Sequence, residues 1–292
     1  HPDGPEKILQ DFGIEPEEFK EQQLLKFVDD IQTGNDGLLY GPMATGGETT
    51  CGIFAPWAIY KEDYWKTNGH DKLFAPQSKE DSDIFNRFHL LGFEFVQTWK
   101  GLVYHMTSRG SRFNPLSGGA PGKDSPEWLH TTTKNMRNFI RKWGTMVQHD
   151  HHMLPIVTPV YDIGLVMYNG GTPDLLAALE PWFSDIYGDW VGHKGFGVNK
   201  YIEEEQPRTL YDLSKKIHPL QTEPKNDIVI SVSCDKLTQE DFNNLQQIRM
   251  IIKESGSIGT FKLGNLEIII HKLEELQTNL IFNDIEENKN EK

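Results

Sequence analysis

Cysteine is scarce: Cys51 and Cys234 are the only two in 292 residues. Two thiols cannot build the disulfide framework of a small secreted scaffold, and their number fits a reducing compartment. Long apolar runs are lacking as well. No stretch approaches the roughly 20 residues that a bilayer-spanning helix needs, and no leader pattern opens the chain. The expectation is a cytoplasmic protein with no membrane span. Positive charge is in deficit, with 29 Lys and Arg against 43 Asp and Glu and a formal net charge of −14. Such a surface repels phosphate backbones and anionic lipid, which argues against nucleic acid as a partner. Internal repeats are absent.

What is present is enough apolar residue, 37% of the chain, to give two ordinary domains a core each. Leu24, Phe27, Val28 and Ile31 fall on one helical face. Residues 38–60 mix glycines with apolar runs, as in two strands joined by a close-packed loop. From Ser82 a helix is predicted with Ile84, Phe88 and Leu91 on one face and Gly92 as its stop. Extended segments then run to His105, a Gly/Ser/Pro/Arg loop spans Thr107 to Pro126, and helix returns from Trp128 to Trp143.

After the polar run at 148–152 and the prolines Pro155 and Pro159 the pattern changes, which sets a domain boundary: residues 1–154 and residues 155–292. The second part is predicted as a small α/β domain. It holds a strand at Ile163–Tyr168, a helix from Pro173 to about Tyr187, and a strand at Asp227–Ser233. A further helix follows, opened by the capping-box spacing of Thr238 and Asp241, with Phe242, Leu245, Ile248 and Ile252 as its buried face. Gly264–Asn265 suits a two-residue hairpin turn between Ile258–Leu263 and Leu266–Ile270. The charged tail from Asn283 is expected to be disordered.

The densest chemistry lies in FAPQSKEDSDIFNRFHLLGFEFVQTWKGLVYH, where Glu80, Asp81 and Asp83 crowd a helix start and His105 ends a strand. A helix of about 11 residues rises roughly 16 Å, and a strand of five or six residues returns a similar distance. His105 is thereby brought back toward Asp81. Carboxylates gathered beside an imidazole call for a proton, a cation or a metal to relieve repulsion. Helix capping and the macrodipole also favour acids at this position without any function.

The ordered run PWAIYKEDY, FAPQSKEDSDIFNRFHLLG and GLVYH resembles the acceptor-side half of the GT-A domain of family 2 glycosyltransferases, over residues 38 to about 145. The resemblance implies a partial GT-A-like α/β domain and an inverting transfer of sugar from a nucleotide-sugar donor to a glycan or other hydroxyl acceptor. It makes Asp81 the general base, His105 a ligand of a divalent metal (Mn or Mg), and Glu80 and Asp83 acceptor-binding carboxylates. It also places the loop of Gly46 and Gly47 beside the sugar or acceptor. Arg109 and Arg112, on the loop after His105, are suited to bind phosphate oxygens or to stand solvated. Trp65, flanked by Lys61, Asp63 and Lys66, is the first candidate for a sugar-stacking indole. Family members open with a nucleotide-binding half bearing Asp-x-Asp. Only 55 residues precede Pro56, so that half is expected upstream.

Asp29 and Asp30 read as solvated helix positions, and Asp235 as part of the loop before the capped helix. GHKGFG at 192–197 lacks the preceding strand of a dinucleotide site. Two rival readings remain: a non-catalytic carbohydrate-binding or assembly module, and a metal-dependent hydrolase built on His149, Asp150, His151 and His152. Homo-oligomer formation is left open.

Overall fold

The computed structural model describes residues 10–13, 16–33, 49–50, 57–97, 103–104, 111–120, 123–150, 154–189 and 197–282. They form two compact units. One draws on His1–Ala58, Phe93–His130 and His149–Pro155, the other on Ile59–Gly92, Thr131–Gln148 and Ile156–Lys292. The single cut after residue 154 does not reproduce this grouping, because two earlier segments pack with the later part of the chain.

In the first unit, α1 (Glu21–Thr33) buries Ile31. Phe27 of that helix lies 5.4 Å from Phe12, and Tyr104 packs edge-on to Phe12 at 5.6 Å while its hydroxyl donates to Gly13 O at 2.9 Å. Strands β1 (Thr49–Thr50) and β2 (Val96–Gln97) pair antiparallel.

The second unit is α/β. It begins with the short helix α2 (Lys61–Tyr64), then α3 (Glu80–Leu90), which stops where Gly92 takes a positive φ of 79°. Helix α4 (Pro126–Trp143) belongs to this unit from Thr131 onward. The remaining elements are β3 (Ile163–Tyr168), α5 (Pro173–Leu179), β4 (Asp185–Gly188), α6 (Val198–Glu205), α7 (Leu213–Lys216), β5 (Ile217–Pro219), β6 (Ile228–Ser233), α8 (Gln239–Ser255), β7 (Gly259–Leu263) and β8 (Leu266–Ile270). The strands form one mixed sheet in the order β5-β4-β3-β6-β8-β7. The first four are parallel, and β8 runs antiparallel to both β6 and β7.

Alternation along the strands buries Ile163, Leu165 and Met167 beside Ile228, Ile230 and Val232, with Leu245, Ile248 and Ile252 of α8 in the same core. Each such side chain contributes about 1.5–3 kcal/mol by leaving water. The helix expected to run to Tyr187 ends instead at Leu179, and Asp185–Gly188 is a strand. Pro181 explains the break, since it has no N–H to continue the α-helical ladder, and a 3-10 turn at Glu180–Trp182 closes the helix. The Thr238–Asp241 capping box forms as read, and Asp241 also accepts from the backbone of Asn265 at 2.9 Å, so one carboxylate fixes a helix start and a hairpin turn.

The alternate positions of β3 and β4 meet a polar cluster. Asn226, on the helix-free return from β5 to β6, donates to Asp162 and Asp185, each at 2.7 Å, and accepts from the Tyr187 hydroxyl at 2.9 Å. Gly164 makes this approach feasible: a Cβ there would lie 2.3 Å from Asn226 Oδ1. Gly164→Ala is expected to cost about 1–3 kcal/mol through overpacking, measured as a lower urea midpoint at unchanged slope.

Among the described residues no helix is long and apolar enough to cross a membrane.

Candidate functional site

All the described residues of the predicted acidic site lie in the continuous segment 59–92 of the second unit. The approach to α3 is an irregular loop. Its Ala75–Pro76 peptide is cis, and Ser78 and Lys79 both carry positive φ, 81° and 75°. Two consecutive non-glycine residues in that region cost about 1–3 kcal/mol each and persist only where neighbours over-determine them. Here Asn135 of α4 does so, donating to Phe74 O at 2.6 Å and Gln77 O at 2.7 Å, while Lys134 reaches Ala75 O at 2.8 Å. The loop therefore presents the first turn of α3 from a fixed position.

The three acids of that turn separate. Asp83 is fully buried. Its Oδ1 receives the Trp143 indole N–H at 2.9 Å and lies 2.7 Å from Lys142 Nζ, and its Oδ2 lies 2.8 Å from Arg87 Nη2. Arg87, equally buried, donates to Thr67 O at 2.7 Å, and Lys142 also reaches Asp71 at 2.8 Å. Asp83 is thus an internal anchor for α3, and its assignment as an acceptor-binding carboxylate is corrected. Position along the helix explains the split: every residue from Ser82 to Phe88 is buried, so Asp83 lies inside while Glu80 and Asp81 stand at the partly exposed start.

Glu80 and Asp81 remain partly exposed. Burial pushes the Glu80 carboxyl above its ordinary range, with Asp81 adding to the effect, and its Oε2 has no hydrogen-bond partner among the described residues. Burial also lowers the adjacent Lys79 ammonium. Both groups are thus pushed toward their neutral forms. A raised folded-state pKa means that ionised Glu80 opposes folding. The relative stability it gives is complete below the ordinary value of 4.5 and is lost as pH rises through the folded value. Glu80→Gln is expected to raise the thermal midpoint near neutral pH and to give no gain at about pH 4, as read from paired melts.

Sequence reading missed His70 and Lys79 beside this turn, and Tyr64 beside His70. Tyr64 stacks edge-on to Trp65 at 5.2 Å and lies 5.8 Å from His70, whose charge helps to offset that of Glu80. Trp65 is 53% exposed and Tyr60 77%. Trp143 and Trp182 are buried and Trp57 and Trp128 half-buried, so Trp65 is the exposed indole among the described tryptophans. An aromatic side by side with charged residues was the signal available in the sequence.

Gly46, Gly47, His105, Arg109, His151 and His152 lie outside the described residues. Arg112 is committed to Asp124 at 2.6 Å and stacks over Phe113. Asp150 accepts from the Leu154 backbone at 2.9 Å, shaping its own loop. As for a divalent metal, Asp83 has spent its oxygens on two cations and an indole, and among the described residues no three His, Cys, Asp or Glu side chains converge as ligands. The described donors therefore do not compose a metal site. Comparison with family models, with curated proteins and with solved structures gave no match to this chain.

Proposed function

We propose that the segment around the start of α3 is the acceptor site of a glycosyltransferase-type protein of GT-A kind, which moves a sugar from a nucleotide-sugar donor to a hydroxyl group. The observation that carries this reading is the division of labour among three neighbouring acids. Asp83 is locked inside while Glu80 and Asp81 are partly exposed on a pinned turn, and the series Trp65, Tyr64, His70 links an exposed indole to Glu80. An indole face packs against the C–H side of a sugar ring, and a carboxylate pair can orient and deprotonate its hydroxyl.

In the reaction so described, Asp81 takes the proton of the acceptor hydroxyl as its oxygen forms a bond to the anomeric carbon. The bond from that carbon to the diphosphate oxygen breaks, and the nucleoside diphosphate leaves. Glu80, with its raised pKa, hydrogen-bonds the acceptor and sets its angle. Trp65 and Tyr60 give the ring a surface to lie on.

The test is to incubate the full chain with Mn²⁺, a panel of nucleotide sugars and simple glycan acceptors, and to follow release of nucleoside diphosphate. Release that requires an acceptor and is lost in Asp81→Asn is the expected result. No release from any pairing would sink the reaction. In that event, acceptor binding that weakens about tenfold in Trp65→Ala would favour a carbohydrate-binding module, the second reading suggested by the exposure of Trp65 and Tyr60.

A further inference from the structure

We propose that β7 is a docking edge of the second unit and that a second copy of this chain occupies it, β7 against β7, antiparallel about a two-fold axis at Thr260. The two edges of the sheet are β5 and β7, and they differ in kind. β5 has three residues and ends in Pro219, which has no N–H to offer a neighbouring strand, so that edge is blunted. β7 has five residues, contains no proline and pairs along its whole length with β8. Its outer edge is left open.

The register fixes which backbone groups stay open. The two-residue turn at Gly264–Asn265 makes Leu263 and Leu266 a hydrogen-bonded pair, and in an antiparallel ladder such pairs alternate with pairs that exchange no bonds. Gly259, Phe261 and Leu263 therefore bond to β8, while the N–H and C=O groups of Thr260 and Lys262 point away from it. Both residues are exposed, as is Ile258 just before the strand at 65%, and no described residue bonds their outward groups. Lys262, a charge of the kind that guards an edge, has Glu267 as its register partner on β8, which offsets it.

A second copy is the occupant because the strand is complementary to itself. With Thr260 opposite its own copy, Lys262 falls opposite Ile258 and Phe261 opposite Gly259. Every outward residue from Ile258 to Lys262 is then paired, with about six new backbone bonds in all. Threonines suit each other across strands, the apolar stem of Lys262 can lie along Ile258, and Gly259 sets no side chain against the Phe261 ring. Phe261 and Leu263 pack against the core of the sheet but are only partly buried, so the partner strand covers them further. An axis at Lys262 would instead set two like charges opposite each other, which disfavours that register. None of this rests on the chemistry at α3.

The full chain is sedimented at concentrations from about 1 µM to about 100 µM, the affinity range of a small interface. A monomer–dimer equilibrium is expected, weakened about tenfold by Thr260→Lys, which sets like charges on the axis. Thr260→Cys is expected to give a disulfide-linked dimer under mild oxidation, since Cα atoms of such a pair lie about 5.5 Å apart, within disulfide reach. Lys262→Cys, four residues out of step with its copy, is expected to give no more than the natural chain with its Cys51 and Cys234. Both positions are exposed, and unchanged melting curves establish that the variants fold. A monomer at every concentration would overturn the proposal, as would a dimer indifferent to Thr260→Lys or equal cross-linking at the two positions. Uptake of an unrelated extended peptide by a chain that stays monomeric would assign the edge to another partner and overturn it equally.

Discussion

Replacing Glu180 by alanine is expected to lower the stability of the second unit by about 3–5 kcal/mol, the usual consequence of stripping one partner from a buried ionic network. Glu180 is fully buried at the end of α5, near the start edge of the sheet, where Ser184 N bonds Ile163 O at 2.9 Å. Its oxygens meet Arg141 Nη2 at 2.6 Å, Lys216 Nζ at 2.7 Å and the Tyr201 hydroxyl at 2.9 Å. Arg141 and Arg137 each also reach Glu205 at 2.6 Å. With Glu180 gone, Arg137 and Arg141 are left with Glu205, and the buried Lys216 loses the carboxylate it meets. Urea denaturation of the full chain measures the loss, and a change below about 1 kcal/mol would show that the network is dispensable.

The same carboxylate sets a pH dependence. Burial alone would push Glu180 up, but Lys216 and Arg141 more than offset it and hold it far below the ordinary 4.5. The stabilisation is therefore present above about pH 4.5 and is lost as pH falls through the depressed folded value. The acid limb of a stability profile should be shallower in Glu180→Gln than in the natural chain, once the lower plateau is taken into account.

The second large effect is a contrast between two acids in one helical turn. Asp81→Asn is expected to reduce sugar transfer by about 10²–10⁴-fold, the range for a lost general base, while stability stays within about 0.5 kcal/mol because the side chain is partly exposed. Asp83→Asn should do the reverse. It removes the countercharge of Arg87 and Lys142 inside the fold and is expected to cost about 3–5 kcal/mol. Any activity that survives in the folded fraction should have an unchanged acceptor KM. Equal loss of turnover in both variants at matched folded fraction would return Asp83 to the site.

Much of the second unit was legible from local pattern. The strand Ile163–Tyr168, the capping box at Thr238 and Asp241, the stop at Gly92 and the turn at Gly264–Asn265 each rest on a few adjacent residues whose backbone preferences agree. Strand β4 was not legible, since Leu175, Leu176 and Leu179 set up a helical rhythm that carried the reading past Pro181. The short β5 gives no pattern of its own, as its three residues become a strand only by pairing with β4. At the candidate site, the crowding of Glu80, Asp81 and Asp83 was visible. Their different fates depended on Lys142 and Trp143, some sixty residues away in sequence.

By itself the sequence determined the α/β character of the later part, the absence of long apolar runs, the acidic balance and the identity of the residues that could carry chemistry, because these follow from composition and short-range periodicity. Only the tertiary structure decided which segments join the sheet, which acid of α3 is withdrawn, and which strands stand at the edges of the sheet. Each of those outcomes turns on contacts between residues far apart in the chain, where burial and charge pairing outweigh any local preference.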